Sequence, residues 1–123
     1  MKILLVLFSF IISISTAAAS EFMTVEEMLN TIPGKTLTGI SNQDGETRWI
    51  QDYAEPKPGK KKGKIVGYWG ESKEKYKSRW YIKKGKWCEN WGSGKGCWDL
   101  VMEGNKIIAY KKGKPLENHW EFM

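Results

Sequence analysis

One histidine, two cysteines and fourteen acidic residues are what this 123-residue chain offers for chemistry. His119 stands in Glu117-Asn118-His119-Trp120, and once the cysteines pair no thiol or serine is placed to make a nucleophile, base and orienter with it. A zinc site needs about four ligands, and beyond Cys88 and Cys97 the one soft ligand is His119, so no metal is expected. Paired carboxylates are the remaining route to hydrolysis. Glu89 and Asp99 are the most suggestive pair, but strand alternation puts Glu89 on a tryptophan-bearing face and Asp99 on the cysteine-bearing face, so the two diverge. No catalytic residue and no cofactor are assigned, and the chain reads as a non-enzyme.

Two concentrations of residues suggest binding instead. The aromatic set Trp49, Tyr53, Tyr68, Trp69, Trp80, Trp87, Trp91 and Trp98 exceeds ordinary composition. Such rings fill the core of a small domain, and they also line pockets for flat ligands or sugars. Should the interior leave a cavity, Trp49, Trp69 and Trp80 are its expected walls, with Tyr53 beside them and Gln51 as the polar group that orients a ligand. The second concentration is Lys57, Lys60, Lys61, Lys62 and Lys64, five lysines within 57–64. It reads as a solvated hairpin loop that discourages edge pairing, or as a contact with an anionic envelope surface or an acidic partner protein.

These residues must be positioned by a chain that opens with an export signal. Met1-Lys2 precedes an apolar run over 3–14, and Ala17-Ala18-Ala19 supplies the small residues that a signal peptidase reads. A run of about a dozen residues is too short for a bilayer that needs roughly 20. Cleavage after Ala19 is expected, with no cysteine following to carry a lipid, and the protein is read as periplasmic or extracellular. The 104 residues that follow suffice for one domain. Removing Lys2 leaves nineteen basic residues against fourteen acidic ones, a net charge of +5. That excess is mild and, with export, disfavours nucleic acid as a partner. An oxidising compartment pairs Cys88 with Cys97 across a glycine-rich turn, closing a loop of about ten residues worth roughly 2.5–3 kcal/mol on chain-entropy grounds. A monomer is expected.

Within 20–34, Thr24-Val-Glu-Glu27 has the form of a capping box opening a short helix. Val25, Met28, Leu29 and Ile32 share one face of it, and Pro33-Gly34 ends it. So short a helix must cap or plug something larger. From 35 to 123 nothing has helical period. Strands are expected near 35–41, 46–54, 64–72, 76–83, 86–91, 97–103 and 106–112, with 116–122 as an optional eighth. Short links at Asp44-Gly45, Lys84-Gly85 and Gly104-Asn105 make the strands an antiparallel meander. On alternation each strand from 46 to 83 buries a tryptophan, and Gly39, Gly67 and Gly70 mark bends or close approaches within strands. The fold class is therefore all-β with one short N-terminal helix: a small antiparallel meander barrel, or a strongly curved sheet, of seven or eight strands.

Two resemblances attach to these residues. Gly67-Tyr68-Trp69 resembles the Gly-x-Trp signature of lipocalin-like barrels, which bind small apolar ligands, although here it follows a helix and two strands instead of marking strand one. Gly85-Lys86-Trp87-Cys88-x-x-Trp91 followed by Cys97 resembles a group of small exported proteobacterial proteins whose β domain has no assigned function; that likeness covers about two thirds of the mature chain and implies no activity. Three functions are carried forward in order: a non-enzymatic interaction module acting through its surface, a lipocalin-like carrier of a small apolar or aromatic ligand, and a hydrolase. The first two differ in the interior, since a cavity below about 300 Å³ would remove the carrier.

Overall fold

A computed structural model of the chain describes residues 22–123; the expected export signal and its cleavage site lie outside the described residues. Helix α1 (Val25–Thr31) is followed by β1 (Thr36–Ile40), β2 (Arg48–Tyr53), β3 (Lys62–Trp69), β4 (Tyr76–Lys83), β5 (Lys86–Asn90), β6 (Lys95–Glu103), β7 (Lys106–Lys111), β8 (Lys114–Pro115) and β9 (Trp120–Phe122). Sequential strands from β1 to β7 pair antiparallel, and β9 pairs with both β1 and β7. That last pairing closes an eight-stranded barrel. β8 is an extra strand, folded back on the end of β7 beyond β9.

Alternation decides which side chains enter the barrel. On β2, Trp49, Gln51 and Tyr53 are buried while Arg48 and Asp52 are exposed. On β5, Trp87 and Glu89 point inward, so Cys88 lies on the outer wall. There it stands in register with Cys97 of β6, and the two are joined as a disulfide. Beside it on the same wall, Lys86 and Asp99 form an ion pair at 2.6 Å. Tight turns carry the meander. Lys84-Gly85 and Lys112-Gly113 each have two consecutive residues at positive φ, as two-residue hairpins of primed type require.

Register also sorts the barrel into two ends. At one end lie the start of β1 and the end of β2, and here α1 is the plug, with Met28 and Ile32 fully buried and Val25 and Leu29 half-buried against the core. The capping box is formed, Thr24 Oγ1 accepting from the Glu27 N–H and Glu27 from the Thr24 N–H. Above the plug the interior is solid. The Trp80 and Trp87 rings stack at 4.8 Å, among Leu37, Ile65, Leu100 and Ile107. The opposite end, ringed by the 41–47, 70–75 and 91–94 links, is open.

Four strand glycines make room for rings. A Cβ on Gly39 would sit 2.7 Å from the Trp49 ring, one on Gly67 2.5 Å from Tyr76, and one on Gly96 2.5 Å from Trp98; one on Gly63 would collide with Trp80. In each case a ring takes up space that a side chain on the glycine would occupy. Gly39 and Gly67 are thus seats for rings.

Several expectations need correction. Gly70 is not inside a strand; it turns the chain after β3 at φ +60°. Trp69 is not buried, being 42% exposed where β3 reaches the open end. The lysine run is not all loop. Lys60 N–H bonds to the Lys57 carbonyl in a tight turn, and β3 already begins at Lys62.

Candidate functional site

The open end of the barrel holds a cavity of about 550 Å³. Its upper wall is a chain of tryptophans: Trp49 meets Trp120 edge-on at 6.2 Å, Trp120 meets Trp98 edge-on at 5.5 Å, and Trp98 meets Trp91 in a tilted contact at 5.9 Å. Trp69 completes the wall at the rim. Edge-to-face rings brace one another and leave faces and edges for a guest.

Beneath the rings lies a polar floor built from three strands. Gln51 and Tyr53 come from β2, Tyr76 from β4 and Glu89 from β5, all on inward positions. The Tyr76 hydroxyl donates to Gln51 Oε1 at 2.7 Å. Gln51 Nε2 in turn donates to the Tyr53 hydroxyl at 2.6 Å and to Glu89 Oε1 at 3.2 Å. Tyr53 donates to Glu89 Oε2 at 3.2 Å, and Trp87 Nε1 to the same oxygen at 3.0 Å. Every one of these bonds runs toward the carboxyl group. Glu89 is therefore held as an acceptor, and no buried side-chain polar atom among the described residues lacks a partner.

Charge is another matter. Glu89 is 2% exposed, and among the described residues no lysine, arginine or histidine forms an ion pair with it. Burial raises its pKa above the ordinary carboxylate value, opposed in part by the hydrogen bonds from Trp87, Gln51 and Tyr53. Burial likewise pushes the Tyr53 and Tyr76 phenols up, with the nearby Glu89 charge adding to the effect. Both tyrosines are thus neutral donors at any physiological pH. A buried carboxylate with donors but no cation costs stability that an apolar residue of similar volume would not. Its presence at the bottom of a solvent-connected cavity makes the floor a candidate for chemistry or recognition.

Of the residues expected to line a pocket, Trp49, Gln51, Tyr53 and Trp69 meet around this cavity. Trp80 does not. It lies deeper, fully buried on Trp87 with its indole N–H donating to the Ala54 carbonyl at 3.0 Å. The reason is height: Trp80 pairs in register with Gly63 near the plugged end, whereas Trp69 pairs with Trp49 near the open one. Glu89, Tyr76, Trp91, Trp98 and Trp120 also line the cavity, and sequence reasoning did not assign them to a pocket. A signal for Glu89 existed in Trp87-x-Glu89-x-Trp91, where one acid shares the inward face with two indoles. For Trp120 the signal was the strand it opens.

The lysines sit elsewhere. Lys57, Lys60, Lys61, Lys62 and Lys64 are all exposed at the plugged end, the first three on the link from β2 to β3 and the last two at the start of β3. One small ligand could not touch both that turn and the cavity. Cys88 and Cys97 are on the outer wall and take no part in the cavity. His119 Nε2 lies 2.9 Å from Glu121 Oε1, outside the cavity. Asp99 is held by Lys86 on the outer face, leaving Glu89 as the one carboxylate among the cavity-lining residues. Among the described residues, no three His, Cys, Asp or Glu side chains gather as metal ligands would. Compared with family models, curated proteins and solved structures, the chain matches none.

Proposed function

We propose that this protein is a small-molecule-binding barrel that acts outside the cytoplasm and holds a compact, flat organic ligand in its open end. The observation that carries this reading is the cavity itself. About 550 Å³ of space falls within the roughly 300–1,000 Å³ typical of small-ligand sites, and aromatic walls over a few convergent polar groups are the composition such sites have. A module acting only by its surface has no need of such a space, and filling it with aliphatic side chains would be more stabilising. The carrier reading therefore moves ahead of the surface-module reading, for which the exposed lysine turn remains the supporting feature. With a single carboxylate at the floor, the paired acids of a glycosidase-type hydrolase have no counterpart among the described residues that line the cavity. The Cys88–Cys97 disulfide supports an oxidising compartment, and no helix among the described residues is long and apolar enough to cross a membrane.

The test is calorimetric titration with 2-naphthol, a flat neutral probe, against the native chain and a Gly96→Ala variant. A methyl at Gly96 forces the Trp98 ring off the wall, so the variant, checked for a native melting transition, is expected to bind at least tenfold more weakly. Saturable one-to-one binding by the native chain supports the proposal. A native chain that takes up neither this probe nor the charged probe described below has no binding cup.

A further inference from the structure

Resting on the binding-barrel reading, we infer that the cup selects a primary or secondary organic amine, its ammonium group seated against Glu89 and its apolar body held among the tryptophans. Three observations converge on this class. First, the deepest polar atom group of the cavity is an acid without a counterion among the described residues. Second, the floor offers acceptors to a guest. Within hydrogen-bond distance Glu89 Oε1 receives the 3.2 Å bond from Gln51, and Gln51 Oε1 the one from Tyr76; each oxygen has a second lone pair for a further donor. An ammonium carries up to three N–H donors and no acceptor, which is the complement of that floor. Third, the walls above are indole rings, whose negative faces attract a cation that has left water. A neutral apolar guest would gain from the walls but leave the acid uncompensated. An anionic one would meet Glu89 directly and be repelled.

The rim does not contradict this. Lys95 and Lys111 line the cavity, but both are exposed at the open end, where solvent and salt screen them over about 8 Å. Glu89 is at the dry end, where a charge pair is felt most strongly. A purely structural reading, in which Glu89 keeps its own proton and serves only to knit three strands together, predicts a cup indifferent to ligand charge. The two readings separate cleanly by experiment.

Binding of 2-phenylethylammonium and of its neutral isostere 2-phenylethanol would be measured by calorimetry at pH 7 for the native protein and for Glu89→Gln, with Glu89→Asp as a second variant that keeps the charge. The ammonium is expected to bind the native protein more tightly than the alcohol. Glu89→Gln should weaken the ammonium by at least about thirtyfold, the range for removing one partner of a desolvated charge pair, while changing the alcohol by less than about threefold. Glu89→Asp should retain part of the preference. Equal binding of both probes, unaffected by Glu89→Gln, overturns the amine assignment and leaves the binding barrel standing. Failure of both probes and of 2-naphthol to bind the native protein overturns both. Should Glu89→Gln not fold, Glu89→Asp decides: an ammonium preference in the native protein that this shortening alters supports the assignment, and a ratio of ammonium to alcohol affinity identical in native and Glu89→Asp overturns it.

Discussion

Replacing Glu89 by glutamine keeps the side chain's volume and removes its ability to ionise, so it isolates what burial of this acid does to the fold. In the native barrel burial raises the Glu89 pKa above its ordinary value of 4.5. Between those two values the folded chain holds a proton that the unfolded chain has released, so stability falls with rising pH across that window. The slope contributed by one such group is about 1.4 kcal/mol per pH unit. The contribution is fully present below that ordinary value, which the unfolded chain has, and is lost as pH rises through the folded value. Tyr53 and Tyr76, the other titratable groups facing Glu89, have their pKa values raised and stay neutral throughout. Trp87, Trp91 and Gln51 do not titrate. The amide of a glutamine must turn its NH2 toward one of the donors. The cheapest loss is the 3.2 Å bond from Gln51 Nε2 to Oε1, because Gln51 keeps its 2.6 Å bond to Tyr53. That mismatch costs about 1 kcal/mol. Glu89→Gln should therefore be less stable than native by about 1 kcal/mol at pH 4, and that difference should shrink as pH rises toward 8. Urea unfolding at half-unit intervals from pH 4 to pH 8 measures the difference. A difference that stays flat, or that favours the native acid increasingly as pH rises, refutes the argument, since either result means the folded barrel does not hold the proton more tightly than the unfolded chain.

Two further outcomes follow from the solid part of the interior. Trp80→Ala removes a fully buried ring from a 4.8 Å stack and is expected to cost about 3–5 kcal/mol in urea unfolding, yet, lying outside the cup, to leave 2-naphthol affinity within about threefold in whatever fraction stays folded; a loss below about 1 kcal/mol would show that the ring is not packed as described. Reduction of Cys88–Cys97 should lower stability by about 2.5–3 kcal/mol without altering ligand preference, because the bond lies on the outer wall, and a free thiol in non-reduced protein by mass spectrometry would contradict the pairing.

Much of this architecture was legible because two local rules act strongly here. Period-two alternation on 48–53 and 76–83 separated inward from outward residues, and the Thr24–Glu27 box with Pro33-Gly34 bounded the helix. Alternation also placed Cys88 and Cys97 away from the tryptophan layer. What it cannot convey is height along the barrel axis. Trp69 and Trp80 obey the same inward rule, yet one stands at the rim and the other beneath the floor, because strand tilt and stagger set depth and both depend on the closed pairing scheme. The same gap hid the floor. Glu89 could be assigned a side, but its meeting with Gln51, Tyr53 and Tyr76 depends on the register of three separate strand pairs. Composition misled only locally: five lysines among Pro and Gly suggest mobile loop, whereas the pairing of Lys62 and Lys64 with Tyr81 and Arg79 draws that end of the run into the sheet. β8, at two residues, was too short to leave a pattern.

The seam of the barrel has a consequence of its own. β9 contributes three residues, and they join the first strand to the seventh: Trp120 pairs with Gly39 on one side and Ile107 on the other. Until those residues arrive the ring cannot close, and β1 and β7 remain open edges that invite pairing with other chains. Such a pairing across nearly the whole chain is also the slowest kind to form. Yet Trp120 is at the same time a wall of the cup, touching both Trp49 and Trp98. The cavity and the closure of the fold are therefore completed by one side chain, so that, on the proposed binding role, a guest in the cup would act as a latch against unzipping along the seam.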